Sequence, residues 1–449
     1  MPVAAQPSHT LTIAPADRLA GDLRLPADVD FGLCALAVAA QSLGETQIDG
    51  LPAVPAVSSL ATALTALGAR VTRTGEDGWQ VTGRGTGGLA EPDRVLDPGG
   101  SVAVAALLAG SVATHAFAAT LGGSGGEGGA LPPSLPRSLA RIGAKTVLRS
   151  MDRLPGMVQG TAFPLPALHT MPPGEDWTAA ALLLAGANIA GRTSVTESGM
   201  AEGSMPRLLR RFGAAVDSHC RDGSRATSIT GHADLAGGAL CVPADAFPAG
   251  SVLVAALLRP DSRLSLPGAG GPRLRAGLLP ALESMGARIG VGGPDGLAAD
   301  LSIQGGGLRG TALSADQVGA VAPDLPALLV AAAFATGRSV LDGLDRLPAD
   351  IIRRLACLEQ ALAAAGVGVL RTGARLVIDG AGGPVRGGID LPAHGDAGLA
   401  LALSVFGGGC RAGGRVTQVP SCDRLAAAVA ALNGAGARID TAMDAVGAG

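Results

Sequence analysis

Six times along the chain an amphipathic helical stretch opens on leucine, closes on a glycine near its end and runs into a β-branched segment. The copies are LTALGARV (Leu64–Val71), LARIGAKTV (Leu139–Val147), LRRFGAAV (Leu209–Val216), LESMGARI (Leu282–Ile289), LAAAGVGVL (Leu362–Leu370) and LNGAGARI (Leu432–Ile439). Their glycines recur at roughly 70–80 residues, longer than the usual solenoid period and suited to a repeated subdomain. A helix end commonly closes through a left-handed residue that glycine adopts without strain, so each copy is expected to be a helix–turn–strand unit.

A second, more apolar helix accompanies each copy, over Cys34–Leu43, Val102–Ala113, Thr178–Ala187, Ser251–Leu258, Pro326–Ala335 and Asp396–Val405. Apolar nearly all round, these helices are expected to be buried. With segments such as TQIDG, RTSVTES and RSVLDG, one unit reads β-α-β-α-β-β, and six units suggest two pseudo-threefold halves. Gly122–Pro133, Met171–Asp176 and Gly268–Pro272 are expected to be loops.

The 449 residues, 47% of them hydrophobic, are enough for two or three domains with real cores. A formal charge of −3 argues against nucleic acid or an anionic membrane as partner. The longest apolar runs are broken by glycine before membrane-spanning length, so a cytoplasmic protein is expected. Of 34 basic residues only Lys145 is a lysine, leaving one candidate for ammonium chemistry. Cys34, Cys220, Cys241, Cys357, Cys410 and Cys422 are scattered without C-x-x-C spacing, indicating neither a zinc site nor a disulfide framework. Asp28-Val29-Asp30 lacks the further oxygen ligands of a calcium loop, so no metal is expected.

This organisation resembles the enolpyruvyl transferase superfamily, and within it the 5-enolpyruvylshikimate-3-phosphate (EPSP) synthase family, over nearly the full chain. The resemblance implies a two-domain inside-out α/β barrel of six β-α-β-α-β-β repeats, three per domain. One domain would be 1–20 plus 240–449, the other 21–239, with the active site in the cleft between them. It also implies a small-molecule substrate and a monomer, with no cofactor.

The motifs that carry the resemblance are altered where they would hold anions. The family's P-G-D-K-S and I-S-H-R become Pro26, Ala27, Asp28, Val29, Asp30 and Phe31, Gly32, Leu33, Cys34, and G-N-S-G-T becomes Gly99, Gly100, Ser101, Val102, Ala103, followed by Ala106. The R-P-M loop falls at Ser134, Leu135, Pro136, with Arg137 one step on. S-A-Q-V-K becomes Glu175, Asp176, Trp177, Thr178, Ala179, and R-D-H-T-E becomes Glu202, Gly203, Ser204, Met205, Pro206. D-E-x-P becomes Pro323, Asp324, Leu325, Pro326. L-R-x-K-E-S-D-R becomes Leu347 to Arg354 with Asp350 inside it, and D-H-R-x-A-M begins at Asp396 with Gly398 in place of arginine.

Phosphoenolpyruvate and a phosphorylated acceptor bring several negative charges into one closed site, and burying them unpaired costs several kcal/mol each. With those cations replaced, the expectation from sequence is a repurposed enzyme of specialised metabolism. Carboxyls in apolar surroundings have raised pKa values and serve as acids or bases, which points to isomerisation, elimination or cyclisation of a neutral or cationic metabolite. Asp28, Asp30, Glu202, Asp324 and Asp350 are the catalytic candidates. Ser101, His169, Glu175, Asp176, Trp177, Arg275, Arg354, His394 and Asp396 are the substrate-binding candidates, with the two histidines expected to titrate near neutral pH. Asp30 and Asp396 would serve equally as helix caps, and Cys34 and His115 as core residues. The competing expectations are enolpyruvyl transfer to an unusual acceptor, through Arg137, Arg275, Arg353 and Arg354, and a non-catalytic binding or scaffold protein.

Overall fold

The computed structural model describes residues 8–123, 129–150, 152–199, 202–221, 223–232, 234–293 and 297–443. Part of the expected Gly122–Pro133 loop, residues 124–128, therefore lies outside the described residues. The chain is mixed α/β and divides into a discontinuous unit, Met1–Pro26 with Pro243–Gly449, and a continuous unit, Ala27–Val242.

All six helix ends share one hydrogen-bond pattern. Gly68, Gly143, Gly213, Gly286, Gly366 and Gly436 have φ between 85° and 110°. The N–H of the residue after each glycine donates to the carbonyl of the leucine that opens the copy, Leu64, Leu139, Leu209, Leu282, Leu362 or Leu432, at 2.9–3.1 Å. This is the Schellman closure, and its leucine is buried in every copy. The next residues enter the outer strand of a hairpin such as Arg70–Arg73 with Trp79–Thr82.

Each hairpin extends into a sheet, giving three sheets per unit among the described residues. In the continuous unit Ala239–Cys241 runs parallel to Glu45–Asp49, which pairs antiparallel with Trp79–Thr82. Leu168–Thr170 lies likewise beside Arg192–Ser198. The third sheet has three strands, and a single parallel bridge from Leu96 to Leu121 stands where a fourth would be. In the discontinuous unit Ala20–Asp22 pairs with Arg263–Gly270, Ala312–Leu313 with Thr336–Leu341, and Ile389–Pro392 with Gly414–Pro420, all parallel. The opening strand Ser8–Ala14 sits between Gly414–Pro420 and Arg438–Met443, so the start of the chain completes the last repeat.

The apolar helices are buried as their composition requires: Val29–Ala40, Val102–Ala113 and Asp176–Gly186 in the continuous unit, and Ala246–Leu257, Leu325–Phe334 and Ala397–Gly409 in the discontinuous one. Two begin about a turn before the expected start. Asp28 caps the first by accepting from Phe31 N at 2.9 Å, and Asp245 caps the fourth. Pro248 is tolerated in the latter because first-turn N–H groups need no partner within the helix.

Two expectations are corrected. Gly268–Pro272 is not a loop: the strand continues to Gly270, and a helix starts at Pro272. A Cβ on Gly270 would lie 2.8 Å from the Ala299 carbonyl, so glycine marks a close approach of two strands here. The expectation that no apolar run reaches spanning length also fails, since Ala315–Val321, Ala322–Asp324 and Leu325–Phe334 join into a helical run of 20 residues. Its apolar 18-residue window is 78% buried, which is the environment of a core helix.

Candidate active site

In the discontinuous unit each buried helix starts at an aspartate paired with an arginine. Asp245 accepts from Phe247 N at 3.0 Å and from Arg424 Nε and Nη2 at 2.5 and 2.6 Å, and the same guanidinium lies 5.2 Å from the Phe247 ring centre. Asp324, 7% exposed, accepts from Arg273 Nη2 at 2.7 Å. Asp396 accepts from Leu399 N at 2.9 Å and from Arg354 Nε at 2.6 Å. The three starts are neighbours: a Cβ on Gly250 would lie 3.2 Å from Asp324 Oδ1, and one on Gly398 would lie 3.6 Å from the Phe247 ring.

Burial pushes the Asp324 carboxyl above its ordinary range, against the pull of Arg273. A carboxyl so placed keeps its proton to higher pH than an exposed one. Asp350, on the first turn of Ala349–Ala364, lies 3.9 Å from Arg354 Nη1, so the structure gathers Asp350, Arg354 and Asp396. Arg275 is half-buried in the short helix Pro272–Ala276. His394 is exposed, with a left-handed φ of 51° two residues before Asp396.

The helix starts of the continuous unit carry carboxylates and hydroxyls. Asp28 and Asp30 open Val29–Ala40, and Ser101 caps Val102–Ala113 by accepting from Val104 N at 3.3 Å. Glu175 opens Asp176–Gly186 and accepts from Thr178 Oγ1 at 2.6 Å, from Ser134 N at 3.1 Å and from Ser134 Oγ. Asp176 is exposed and Trp177 half-buried beside it. Burial first, then Asp30 and Asp28, push the Cys34 thiol up, which leaves it unreactive core packing.

Glu202 is the centre of an arginine cluster. It accepts from Arg207 Nε at 3.3 Å and from Ser218 Oγ and Arg210 Nη2, each at 2.8 Å, and lies 3.7 Å from Arg225 Nη1. These contacts hold its carboxyl below the ordinary range despite burial. Glu197, opposite Arg225 in the strand pairing, is pushed up to about 7, chiefly by burial and then by Asp176. His169 is buried with neither ring nitrogen hydrogen-bonded, and burial together with Arg141 pushes it down to about 4. It is therefore neutral at physiological pH and does not titrate near neutrality as the sequence suggested. His115 is a core residue, bonded to Ser111 O at 2.8 Å and to Leu89 N at 3.3 Å.

Sequence reasoning missed Arg207, Arg210, Arg225, Arg273, Arg424 and Glu197. The spacing of Arg207 and Arg210, one turn apart before Phe212-Gly213, was a usable signal for a shared helix face. The other partners come from distant strands and helices.

The sequence model of the family described as EPSP synthase (3-phosphoshikimate 1-carboxyvinyltransferase) matches residues 13–424. This chain belongs to the EPSP synthase family. It is 35% identical over 446 residues to the 3-phosphoshikimate 1-carboxyvinyltransferase of Paramagnetospirillum magneticum, covering 97% of this chain and 99% of that one. It is 36% identical over 402 residues to the enzyme of the same name from Rhodospirillum rubrum, covering 87% and 88%. Among solved structures, EPSP synthase from Acinetobacter baumannii superposes with a TM-score of 0.80 at 24% identity, covering 97% and 100%. The enolpyruvyl transferase NikO from Streptomyces tendae gives 0.65 at 19%, covering 98% and 100%. Both structures share the fold.

The expectation of a repurposed isomerase, eliminase or cyclase is thereby corrected, because near-full-length relatives at this identity are named for carboxyvinyl transfer. The error has a physical source. Cation loss was counted motif position by motif position, whereas the fold brings Arg273 and Arg424 to the helix starts from outside the motifs, beside the motif arginine Arg354.

Proposed function

We propose that this chain is a 3-phosphoshikimate 1-carboxyvinyltransferase, moving the carboxyvinyl group of phosphoenolpyruvate onto a hydroxyl of shikimate 3-phosphate with release of inorganic phosphate. The observation that carries the reading is the 35% identity over 446 residues to a relative of that name. It acts in this reading as a cytoplasmic monomer.

Carboxyvinyl transfer requires a group that takes the acceptor's hydroxyl proton and cations that bear the anionic substrates. Asp324 is our candidate for the proton, since it is buried, raised and held in place by Arg273 at 2.7 Å. A carboxyl with a pKa nearer the working pH shares a proton more readily than an exposed one. Arg273, Arg354 and Arg424 are the cations of the discontinuous unit, each already oriented by an aspartate. Prior orientation lowers the entropy lost when a guanidinium binds a carboxylate or phosphate.

The test is phosphate release from phosphoenolpyruvate with shikimate 3-phosphate as acceptor. Release that needs both compounds, with Asp324→Asn slowed by about a hundredfold or more, supports the reading. No release from the folded wild-type protein overturns it.

A further inference from the structure

A cavity of about 780 Å3 lies where two buried helices of the continuous unit end. Thr114 and His115 follow Val102–Ala113 and line it, as does Asn188, which follows Asp176–Gly186 and bonds Gln41 at the end of Val29–Ala40. The helices themselves start at Ser101 and Glu175, roughly 17 Å away at a rise of 1.5 Å per residue. The cavity is therefore separate from the polar groups at those starts. Its volume falls in the range of about 300–1,000 Å3 that small-molecule sites occupy. The matching end of the discontinuous unit is filled: Arg259 donates to Gly408 O and Ala255 O at two helix ends, and a void of about 10 Å3 remains beside it.

The wall of the cavity is held in place. Phe163 N donates to Thr161 Oγ1 at 3.2 Å, Leu165 N donates to Ile142 O at 3.0 Å, and Pro164 and Pro166 restrict the same segment. Phe163 and Leu165 nonetheless leave 84% and 60% of their surface in water at the mouth. Phe117 also lines the cavity, its ring 5.4 Å from that of His115.

Among the described residues the lining holds one carboxylate, Glu91, and neither arginine nor lysine. Its histidines are His232, exposed, and His115, which burial holds below its ordinary range and whose ring nitrogens are engaged by Ser111 O and Leu89 N. Arg84, ahead of the wall formed by Gly87 and Leu89, donates from Nε to Gly88 O at 3.2 Å. Helix carboxyl ends carry the negative pole of the helix dipole, and aromatic faces attract cations. Helix ends, rings and carboxylate thus favour one kind of guest.

We propose that this cavity binds a small organic monocation with an aromatic body, its ammonium group toward Glu91 and the helix ends and its ring among Phe117, Phe163 and Leu165. The guest supplies from outside the positive charge that Arg259 supplies from within the chain in the discontinuous unit. The site does not rest on the carboxyvinyl-transfer reading, whose substrates are anions.

The experiment is saturation-transfer NMR and calorimetric titration of the full chain with three probes of similar size: phenethylamine, 2-phenylethanol and 3-phenylpropionate. Phenethylamine is expected to bind about fivefold more tightly than the alcohol, and 3-phenylpropionate is expected not to displace it. Glu91→Gln is expected to cut the preference to about twofold or less and leave the affinity for the alcohol unchanged. Ala116→Trp, at an exposed lining position, fills the cavity and is expected to abolish binding of both. Phe163→Ala is expected to weaken both about threefold, and it decides the matter if Ala116→Trp does not fold. The proposal is overturned if the folded wild type binds no phenethylamine at millimolar concentration, or if binding survives the cavity variants unchanged. It is equally overturned if 3-phenylpropionate displaces the amine, if the amine gains nothing over the alcohol, or if Glu91→Gln keeps the whole of that gain.

Discussion

The carboxyl ends of the three buried helices are closed differently in the two units. In the discontinuous unit two of them, Ala246–Leu257 and Ala397–Gly409, meet on Arg259, 5% exposed, which donates to Gly408 O at 2.6 Å, to Ala255 O and to Ala16 O in the loop after the first strand at 2.8 Å. In the continuous unit they meet on neutral amides. Asn188 donates to Gln41 Oε1 at 2.9 Å and to Thr114 Oγ1 at 3.0 Å, and accepts from Gly87 N at 2.9 Å. Both arrangements satisfy carbonyls or side chains where helices end without partners. The guanidinium gains from the negative helix ends but loses hydration, and burial pushes it down to about 10.

The opposite ends differ as well. The discontinuous unit starts its helices with three Asp–Arg pairs, whereas Glu175 and Ser101 in the continuous unit are held by hydroxyls and backbone. The continuous unit concentrates its arginines on Glu202 instead. One repeat topology thus fixes where polar closure is needed without fixing which chemistry supplies it.

The largest effect expected from breaking this contrast is at Arg259. Arg259→Met removes three buried hydrogen bonds to carbonyls and is expected to cost roughly 4 kcal/mol of stability in urea unfolding. Asn188→Ala removes neutral bonds and is expected to cost about 2 kcal/mol. A cost at Asn188 equal to or above that at Arg259 would show that charge adds nothing to this kind of closure.

Glu197→Gln sharpens the account of the continuous unit through pH. With the folded carboxyl at about 7 and an ordinary value of 4.5, the folded state binds the proton more tightly. Wild-type stability therefore falls as pH rises through that window. The glutamine variant should match wild type below it and melt progressively higher through and above it; a constant offset at every pH would contradict this. The smallest effect belongs to Asp350→Asn, whose half-exposed pair at 3.9 Å is worth less than about 0.5 kcal/mol.

The fold was legible because its signals are local. A leucine, a glycine five residues or less downstream and an all-apolar companion helix each follow from short-range sterics and burial. Asp396 was read as a cap for the same reason, whereas at the first helix the cap is Asp28 and not Asp30, which lies in the first turn. The polar sites were not legible, because their partners are remote: Arg424 meets Asp245 across 179 positions and Arg259 meets Ala16 across 243. Glu202 read as a free acid because nothing beside it in sequence announces Arg225 on a later strand. The motif-by-motif count of lost cations therefore gave the wrong reaction while the same motifs gave the right family.

The most direct measurement is the time course of inorganic phosphate set free by the purified chain from phosphoenolpyruvate and shikimate 3-phosphate, with the product identified by mass. The account predicts one phosphate per carboxyvinyl ether formed and none when either compound is left out. A folded protein that yields neither phosphate nor ether with both substrates present would contradict it.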